Sequence, residues 1–228
     1  MDRQAFIRPY IPIPKGTVFY MKNHKLPEPV IRRLPRYYRC LELLRDSGVE
    51  RTSSGKLAEL MSSTASQVRQ DFSCFGKLGQ QGYGYNVSKL ISEFGDILGM
   101  KTVRSMILIG AGHLGSAIAN NFDFEHYGFR LIAAFDNSKE LIGTVIRPGI
   151  EIYDIDRLEE FVEEYRPQAA VLTLTQTAAQ PCAERLVRCG VKYLWNFANT
   201  ELKLEDTDAV VEDVRFSDSI LVLSYYMT

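Results

Sequence analysis

A glycine-rich segment in the second half of the chain has the residue types and spacing of a phosphate-binding loop. It reads Gly110-Ala111-Gly112-His113-Leu114-Gly115, between an apolar stretch that ends at Ile109 and a helix-like stretch that starts at Ser116. In such a unit, the first glycine permits a tight turn, the second lets the backbone approach a pyrophosphate, and the third lets the helix pack on the sheet. The phosphates then lie at a helix N-terminus, which favours negative charge.

An aspartate supplies the second part of this predicted site. Asp136 ends the next apolar stretch, 21 residues after Gly115, where a carboxylate accepts hydrogen bonds from the adenosine ribose. A carboxylate there repels a 2′-phosphate, so the pattern favours NAD over NADP. A degenerate Rossmann domain and a CoA-binding domain remain as alternatives. The predicted cofactor contacts of this part are Gly110, Ala111, Gly112, His113, Leu114, Gly115 and Asp136.

The histidines offer little for catalysis. The ring of His113 either lies near the diphosphate or faces solvent, and only His24 and His126 remain. A dehydrogenase needs a positioned acid or base in a substrate domain, and the chain leaves no segment for such a domain. We therefore predict a binding protein without catalytic residues.

The elements that would position this loop alternate along the second half. Short apolar strands are predicted over residues 103–109, 129–135, 149–153, 169–175 and 192–195, with helical patterns between several of them. This alternation is typical of an α/β fold with a doubly wound parallel sheet. We expect a Rossmann-type domain.

Charge divides the chain into two parts. Residues 1–95 hold 15 Lys and Arg against 8 Asp and Glu, whereas residues 96–228 hold 12 against 20. Clustered basic residues attract the phosphate backbone of nucleic acid. Chance asymmetry of solvated surfaces is the alternative.

The first half has the pattern of a winged helix-turn-helix. Helices are predicted over residues 34–47 and 56–61, the second capped by Ser53 or Ser54. A third helix follows Thr64-x-x-Gln67, the pattern of a capping box. Residues 76–85 combine glycines with alternating tyrosines, which is typical of a tight hairpin. We therefore expect a wing after the third helix.

The start of the third helix is the predicted reading surface. In a helix-turn-helix, the second helix of the motif contacts base edges with its N-terminal residues. Arginine suits the O6 and N7 atoms of guanine, and glutamine suits adenine. The alternative is a small protein-interaction module with ordinary solvated side chains. The predicted DNA-binding residues are Arg51, Lys56, Ser66, Gln67, Arg69, Gln70, Lys77 and Tyr83.

The two ends of the chain differ from both halves. Residues 1–30 hold five of the nine prolines, which favours an extended arm that either reaches DNA or is poorly ordered. The last helix is apolar on nearly every side from Ile220, so we expect a partner subunit to bury it. The predicted organisation is an arm (1–30), a winged helix (31–88), a linker helix (89–100), a Rossmann domain (101–212) and a C-terminal dimerisation helix (213–228).

Composition favours a cytoplasmic protein. The charged, proline-containing start lacks the apolar stretch of a signal peptide, and no stretch of 18 apolar residues predicts a membrane span. The four cysteines form no CxxC pair and have no histidine at metal-ligand spacing. We therefore expect no membrane partner, no metal site and reduced thiols, although Cys182 and Cys189 share one helix face and leave a redox role open.

Short segments along the chain combine into a specific pattern. In the first half they are Arg33-Leu34-Pro35-x-Tyr37-Tyr38-Arg39, Val49-x-Arg51-Thr52-Ser53-Ser54, Gln67-Val68-Arg69-x-Asp71, Phe75-Gly76 and Gly82-x-Gly84-Tyr85-Asn86-Val87. In the second half they are the glycine loop, Ala134-Phe135-Asp136, Ala178-Ala179-Gln180 and Asn196-Phe197-Ala198. From Arg32 to the C-terminus, the chain resembles the Rex family of redox-sensing bacterial transcriptional repressors.

The resemblance implies how the two halves work together. It implies a homodimer with exchanged C-terminal helices that binds an inverted-repeat operator in double-stranded DNA when NAD⁺ prevails. A rise in NADH then releases the DNA. It also implies that Thr173 and Asn196 lie near the nicotinamide of the bound cofactor.

Several residues depart from the family pattern at the surfaces that would couple the domains. The family holds an arginine, here Arg39, with an aspartate at the start of the last helix, and Arg215 occupies that aspartate's position. Asn121 replaces a frequent tyrosine, and Gln70 replaces a lysine of the third helix. Two alternatives therefore remain: a paralogue that binds DNA without redox discrimination, and an NAD- or CoA-binding enzyme with a vestigial winged helix.

Overall fold

The computed structural model describes residues 26–76, 78 and 83–227. The chain divides into two compact units, Met1–Lys101 and Thr102–Thr228. Most of the predicted arm and half of the predicted wing, including Lys77, lie outside the described residues.

Helices form most of the described part of the first unit. They are α1 (Glu28–Asp46), α2 (Ser54–Leu60), α3 (Ala65–Ser73) and α4 (Val87–Ile97), and strands β1 (Arg51–Thr52) and β2 (Tyr85–Asn86) pair antiparallel. Side chains cap three of these helices, since Ser53 accepts from the Lys56 N–H, Thr64 from Gln67 and Asn86 from Lys89. Of the two caps predicted for α2, the structure uses Ser53, and the cap at Thr64 is confirmed. The return bond of a capping box is replaced by a bond from the Gln67 side chain to Asp71.

Two predictions about the first unit need correction. Helix α1 begins at Glu28 rather than Leu34, so the last residues of the predicted arm are helical. Proline in a first turn costs no helical hydrogen bond, because the N–H it lacks would have had no partner there. The segment predicted as a linker helix belongs instead to the first core, since α4 buries Leu90 and Phe94 completely.

The second unit contains seven strands, which are β3 (Arg104–Ile109), β4 (Phe129–Asp136), β5 (Val145–Arg147), β6 (Ile150–Asp154), β7 (Ala169–Leu172), β8 (Tyr193–Asn196) and β9 (Val210–Asp213). They form one sheet in the order β5-β6-β4-β3-β7-β8-β9, and all of them are parallel except β5. The helices are α5 (His113–Asn121), α6 (Leu158–Tyr165), α7 (Gln176–Arg188) and α8 (Phe216–Tyr225). The predicted α/β class with a Rossmann-type sheet is confirmed, and β5 and β9 are strands that were not predicted.

Alternation along β3 explains why helices cover both faces of this sheet. Ile107 and Ile109 lie in one apolar cluster, whereas Met106 and Leu108 lie in another. The order of the strands reverses at β3, which has β4 on one side and β7 on the other. In open α/β sheets, ligands bind at such a reversal, beyond the carboxyl ends of the strands.

Helix α8 carries apolar side chains into solvent. Phe216, Ile220 and Leu221 are at least 60% exposed, and Val222 and Leu223 more than half. Water around so much apolar surface is unfavourable. No helix in the described parts of the chain is both long and apolar enough to cross a membrane.

Candidate dinucleotide site and nucleic-acid interface

The glycine loop lies at the strand reversal, and two of its glycines are sterically required. Gly110 has φ +97°, and a Cβ atom there would lie 2.6 Å from the Thr173 carbonyl oxygen. A Cβ atom on Gly115 would lie only 1.9 Å from the Gly110 carbonyl oxygen. Gly112, in contrast, has open space where a Cβ atom would be. The loop is therefore closed against the protein at its ends and open to a ligand at its centre.

Helix α5 begins at this opening. Gly112 is its N-cap residue and provides no side-chain hydrogen bond, and the first helical bond runs from the Ser116 N–H to the Gly112 carbonyl. The first-turn N–H groups, which include those of His113 and Leu114, are left for an outside acceptor. The side chains of His113 and Leu114 are exposed. Backbone N–H groups and the helix dipole thus provide a site for a phosphate group.

Asp136 lies beside the loop, as its place at the end of β4 predicts. One carboxylate oxygen accepts the Ala111 N–H at 2.6 Å, and the other accepts the Ser138 N–H at 2.8 Å. A carboxylate has about four acceptor positions, so these bonds leave capacity for ribose hydroxyls. They also fix the carboxylate next to the glycine loop. The ribose contact itself stays a prediction.

Thr173 follows β7 and joins the strand to the loop. Its hydroxyl donates to the Gly110 carbonyl at 2.6 Å, and its N–H donates to the Ile109 carbonyl at 2.9 Å. The structure therefore brings Thr173 to the glycine loop, and its contact with the nicotinamide stays a prediction.

The Asn196 side chain is bonded inside the protein. The residue is fully buried, and its Nδ2 group donates to the Thr200 carbonyl at 3.0 Å and to Asp213 at 2.8 Å. Its Oδ1 atom accepts the Ala198 N–H at 3.0 Å. Both amide protons are used inside the protein, so we expect the side chain to shape the loop after β8 rather than donate to a cofactor.

In the first unit, helix α3 presents part of the predicted reading surface. Ser66, Arg69 and Gln70 are exposed, and the Arg69 guanidinium lies 3.2 Å from the Ser54 hydroxyl. Gln67 is half-buried instead, and its amide donates to Asp71 at 2.8 Å. The predicted base contact of Gln67 therefore conflicts with a hydrogen bond inside the protein.

Asp71 is the centre of a network that our reading of the residues missed. It is 1% exposed and accepts two hydrogen bonds from Arg33, at 2.6 and 2.8 Å, and one from the Tyr37 hydroxyl at 2.8 Å. Arg33 and Tyr37 are one turn apart on α1, as Gln67 and Asp71 are on α3, and this spacing was the available signal. The network holds the predicted reading helix on α1.

The charges of this network stabilise one another. Burial alone would raise the pKa of Asp71, but hydrogen bonds from Arg33, Tyr37 and Gln67 lower it below its usual range. Burial and the nearby carboxylate raise the pKa of the Tyr37 hydroxyl. Asp71 is thus a carboxylate and Tyr37 a neutral donor at neutral pH.

The remaining predicted DNA contacts lie on the same unit. Arg51 donates to the Tyr83 carbonyl at 2.8 Å, and the Tyr83 side chain is 71% exposed. Lys56 pairs with Glu59 at 3.0 Å on the surface of α2. Arg51 therefore anchors the described end of the predicted wing, and contacts of these residues with phosphates stay predictions.

The predicted coupling residues occupy helix surfaces and helix ends. Arg39 is exposed on α1, and Asn121 ends α5, where its amide donates to the Ala117 carbonyl at 2.8 Å. Arg215 precedes α8 and pairs with Asp213 at 3.2 Å. The charge of Arg215 is therefore balanced by a neighbouring carboxylate.

Thiol and metal chemistry find little support in the described residues. Burial raises the pKa of Cys182 to about 11 and also raises the pKa of Cys189. Since the thiolate is the reactive form, these cysteines are poorly suited to a redox role. No group of potential metal ligands occurs within the ranges that the structure describes.

Comparisons with known proteins agree with this division into two parts. Residues 25–73 match a family described as "Putative DNA-binding protein N-terminus", and residues 101–200 match the "CoA binding domain" family. The first match contains α1 to α3, and the second contains the glycine loop and Asp136.

Similar proteins cover nearly the whole chain. The redox-sensing transcriptional repressor Rex of Caldanaerobacter subterraneus subsp. tengcongensis is 47% identical over 196 residues, which are 86% of this chain and 87% of that protein. The crystal structure of RSP with β-NAD⁺ and operator DNA has a TM-score of 0.83 and 44% identity, and the match covers 90% of this chain and 93% of that one. The crystal structure of RSP with β-NADH has a TM-score of 0.81 and 42% identity, and the match covers 90% of this chain and 95% of that one. By this similarity along both units, the chain belongs to the Rex family of redox-sensing transcriptional repressors.

Proposed function

We propose that this protein is a homodimeric transcriptional repressor that binds NAD(H) in its second unit and operator DNA through its first unit. NADH weakens its binding to the operator. The observation that carries the proposal is that one chain combines a glycine loop open at a helix N-terminus, with Asp136 beside it, and a helix α3 with exposed Ser66, Arg69 and Gln70. The relatives bound to NAD⁺, NADH and operator DNA support the same pairing of ligands.

The dinucleotide site favours NAD(H) through a division of tasks. Glycine-loop N–H groups and the α5 dipole bind the pyrophosphate, and Asp136 accepts the ribose hydroxyls. A 2′-phosphate would bring negative charge to that carboxylate, so NADP(H) binds less well. We infer a regulator rather than an enzyme, acting in the cytoplasm, where the DNA and the NAD(H) pool of a bacterium lie.

Calorimetric titration tests the choice of ligand directly. We expect NADH and NAD⁺ to bind with one site per chain, and NADPH and CoA to bind more weakly than NADH. Asp136→Asn removes the charge that rejects the 2′-phosphate and should narrow the difference between NADH and NADPH. Tighter binding of CoA than of either form of NAD would contradict the proposed cofactor.

Arg69 is the strongest candidate for reading bases. Its exposed guanidinium can bind the O6 and N7 atoms of a guanine. Loss of a bidentate base contact costs about 1–3 kcal/mol, so Arg69→Ala should weaken operator binding about 5- to 150-fold. The assay is fluorescence anisotropy with a duplex selected from a random library by this protein. Random duplex is the control, and an equal loss on both duplexes would mean that Arg69 contacts phosphates only.

The exposed apolar side chains of helix α8 are the basis for the proposed dimer. Two copies would cover the exposed apolar side chains of this helix, and each fully buried Ile or Leu contributes about 1.5–3 kcal/mol. The double variant Ile220→Glu and Leu223→Glu loses the burial energy of two side chains in each subunit. The dimer dissociation constant should therefore rise more than about a thousandfold. Analytical ultracentrifugation measures it.

Ser219→Glu is the matched control, because it adds a charge to an already polar position of the same helix. We expect it to remain a dimer. A double glutamate variant that sediments as the wild-type dimer would show that α8 is not the interface.

A further inference from the structure

Two neighbouring strands of the second unit end with side chains in contact. Asn196 ends β8 and Asp213 ends β9, and the two residues pair in register. The buried Asn196 amide donates to one oxygen of Asp213 at 2.8 Å and to the Thr200 carbonyl at 3.0 Å. Asp213 is therefore bound to the residue that shapes the loop after β8.

The other oxygen of Asp213 binds the residue before helix α8. It accepts a hydrogen bond from the Arg215 guanidinium at 3.2 Å, and the two side chains are 30% and 36% exposed. A second ion pair, Lys192 with Asp208, lies at the opposite end of the same two strands, and its side chains are 53% and 71% exposed. Solvent screens the pair with Asp213 less.

Three further contacts connect the start of α8 to the same loop. The Val214 N–H donates to the Asn196 carbonyl at 2.8 Å, and the rings of Phe197 and Phe216 lie 6.3 Å apart. The Ser217 hydroxyl lies 3.4 Å from the Asn199 side chain. The first turn of α8 therefore has to follow the position of residues 196–199.

The loop in turn borders the nucleotide-binding end of the sheet. The Phe197 N–H donates to the Leu172 carbonyl at 2.9 Å, and the next residue, Thr173, bonds to the Gly110 carbonyl of the glycine loop at 2.6 Å. In a sheet of this order, each half binds one mononucleotide, so the half formed by β7 to β9 faces the nicotinamide.

We propose that Asp213 is a positioning residue for the redox response: it fixes the start of α8 to the loop after β8, so that the charge of the nicotinamide biases the helix. Reduction removes one positive charge from the nicotinamide ring. The carboxylate of Asp213 and the guanidinium of Arg215, at this end of the sheet, therefore have different interaction energies with NAD⁺ and with NADH. Helix α8 carries that difference into the dimer. The inference rests on the proposed function.

The test compares Asp213→Ala with Asp208→Ala, which breaks the ion pair at the far end of the same strands. Operator affinity is measured by anisotropy in saturating NADH and in saturating NAD⁺, and the ratio of the two dissociation constants is the readout. Affinities for both nucleotides and the dimer dissociation constant are measured on the same proteins. Asp213→Asn keeps an acceptor for Asn196 but removes the charge, and it serves as a second variant if alanine unfolds the protein.

We expect a wild-type ratio in the range of typical couplings, about 5- to 150-fold. In both Asp213 variants the ratio should approach one while both nucleotides still bind and the dimer persists, and Asp208→Ala should keep the wild-type ratio. A wild-type ratio in the Asp213 variants would overturn the inference, as would loss of the dimer or equal loss of both nucleotides. If the wild-type protein itself gives a ratio of one, the proposed function fails instead.

Discussion

Gly115→Ala will abolish dinucleotide binding, whereas Gly112→Ala will weaken it without disturbing the fold. A Cβ atom on Gly115 would lie 1.9 Å from the Gly110 carbonyl oxygen and 2.8 Å from the Thr173 hydroxyl. Backbone cannot yield as a flexible side chain does, so the start of α5 has to leave the loop. Overpacking of this kind costs about 1–3 kcal/mol or more, and the phosphate site loses its geometry.

Gly112 is the matched position because only a ligand would meet its added methyl group. Its φ of −63° suits alanine, and no protein atom lies within 4 Å of the added Cβ. We expect the stability of Gly112→Ala to stay within about 1 kcal/mol of the wild type, while its affinity for NADH falls at least about tenfold because the methyl keeps the pyrophosphate from the backbone.

Calorimetry with NADH and thermal unfolding separate the two glycine variants. Gly115→Ala should lose both binding and melting temperature, and Gly112→Ala only binding. Wild-type NADH affinity in Gly112→Ala would mean that the pyrophosphate does not cross this loop.

Asp71→Ala will unfold the first unit locally or destabilise it strongly. The substitution leaves the Arg33 guanidinium, the Tyr37 hydroxyl and the Gln67 amide without their common acceptor. Leaving the fully buried Tyr37 hydroxyl without an acceptor costs about 1–3 kcal/mol, and the Arg33 guanidinium, which is 32% exposed, loses its ion pair as well. Asp46→Ala is the control, since Asp46 is 64% exposed beside Arg45, and a surface pair is worth about 0–1 kcal/mol.

The two aspartate variants are compared by urea unfolding and by hydrogen exchange in α1 and α3. Exchange should accelerate in both helices of Asp71→Ala, and operator affinity should fall because α3 is no longer held. Unchanged exchange in α3 would show that the network does not position the reading helix.

The same network should make the free energy of unfolding of the wild-type protein depend on pH in the acid range. The pKa of Asp71 is lower in the folded state than its usual value. Its stabilising contribution is therefore complete above the unfolded-state pKa and is lost as pH falls through the lowered folded-state pKa. Asp71→Ala should lack this part of the decrease in the free energy of unfolding at low pH.

Local patterns predicted the parts of the molecule whose causes are local. The glycine loop, the caps at Ser53 and Thr64, and the strand that ends at Asp136 each follow from residues within a few positions of one another. Their physics is the geometry of a turn or the first turn of a helix, so spacing along the chain is sufficient.

The missed features depend on distant partners. Asp71 meets Arg33 across 38 positions, and Asn196 meets Asp213 across 17. Nothing near Asn196 indicates that both of its amide protons are used inside the protein. Strand β5 has three residues, pairs at the edge of the sheet and has little periodicity to detect. Tertiary pairing, rather than local preference, forms these features.

The affinity of the wild-type dimer for its selected operator duplex, titrated in saturating NADH and in saturating NAD⁺ at one salt concentration, tests the account most directly. We expect the operator dissociation constant to be at least about fivefold higher with NADH. Equal dissociation constants with both forms would contradict redox sensing and leave a protein that binds DNA and dinucleotide independently.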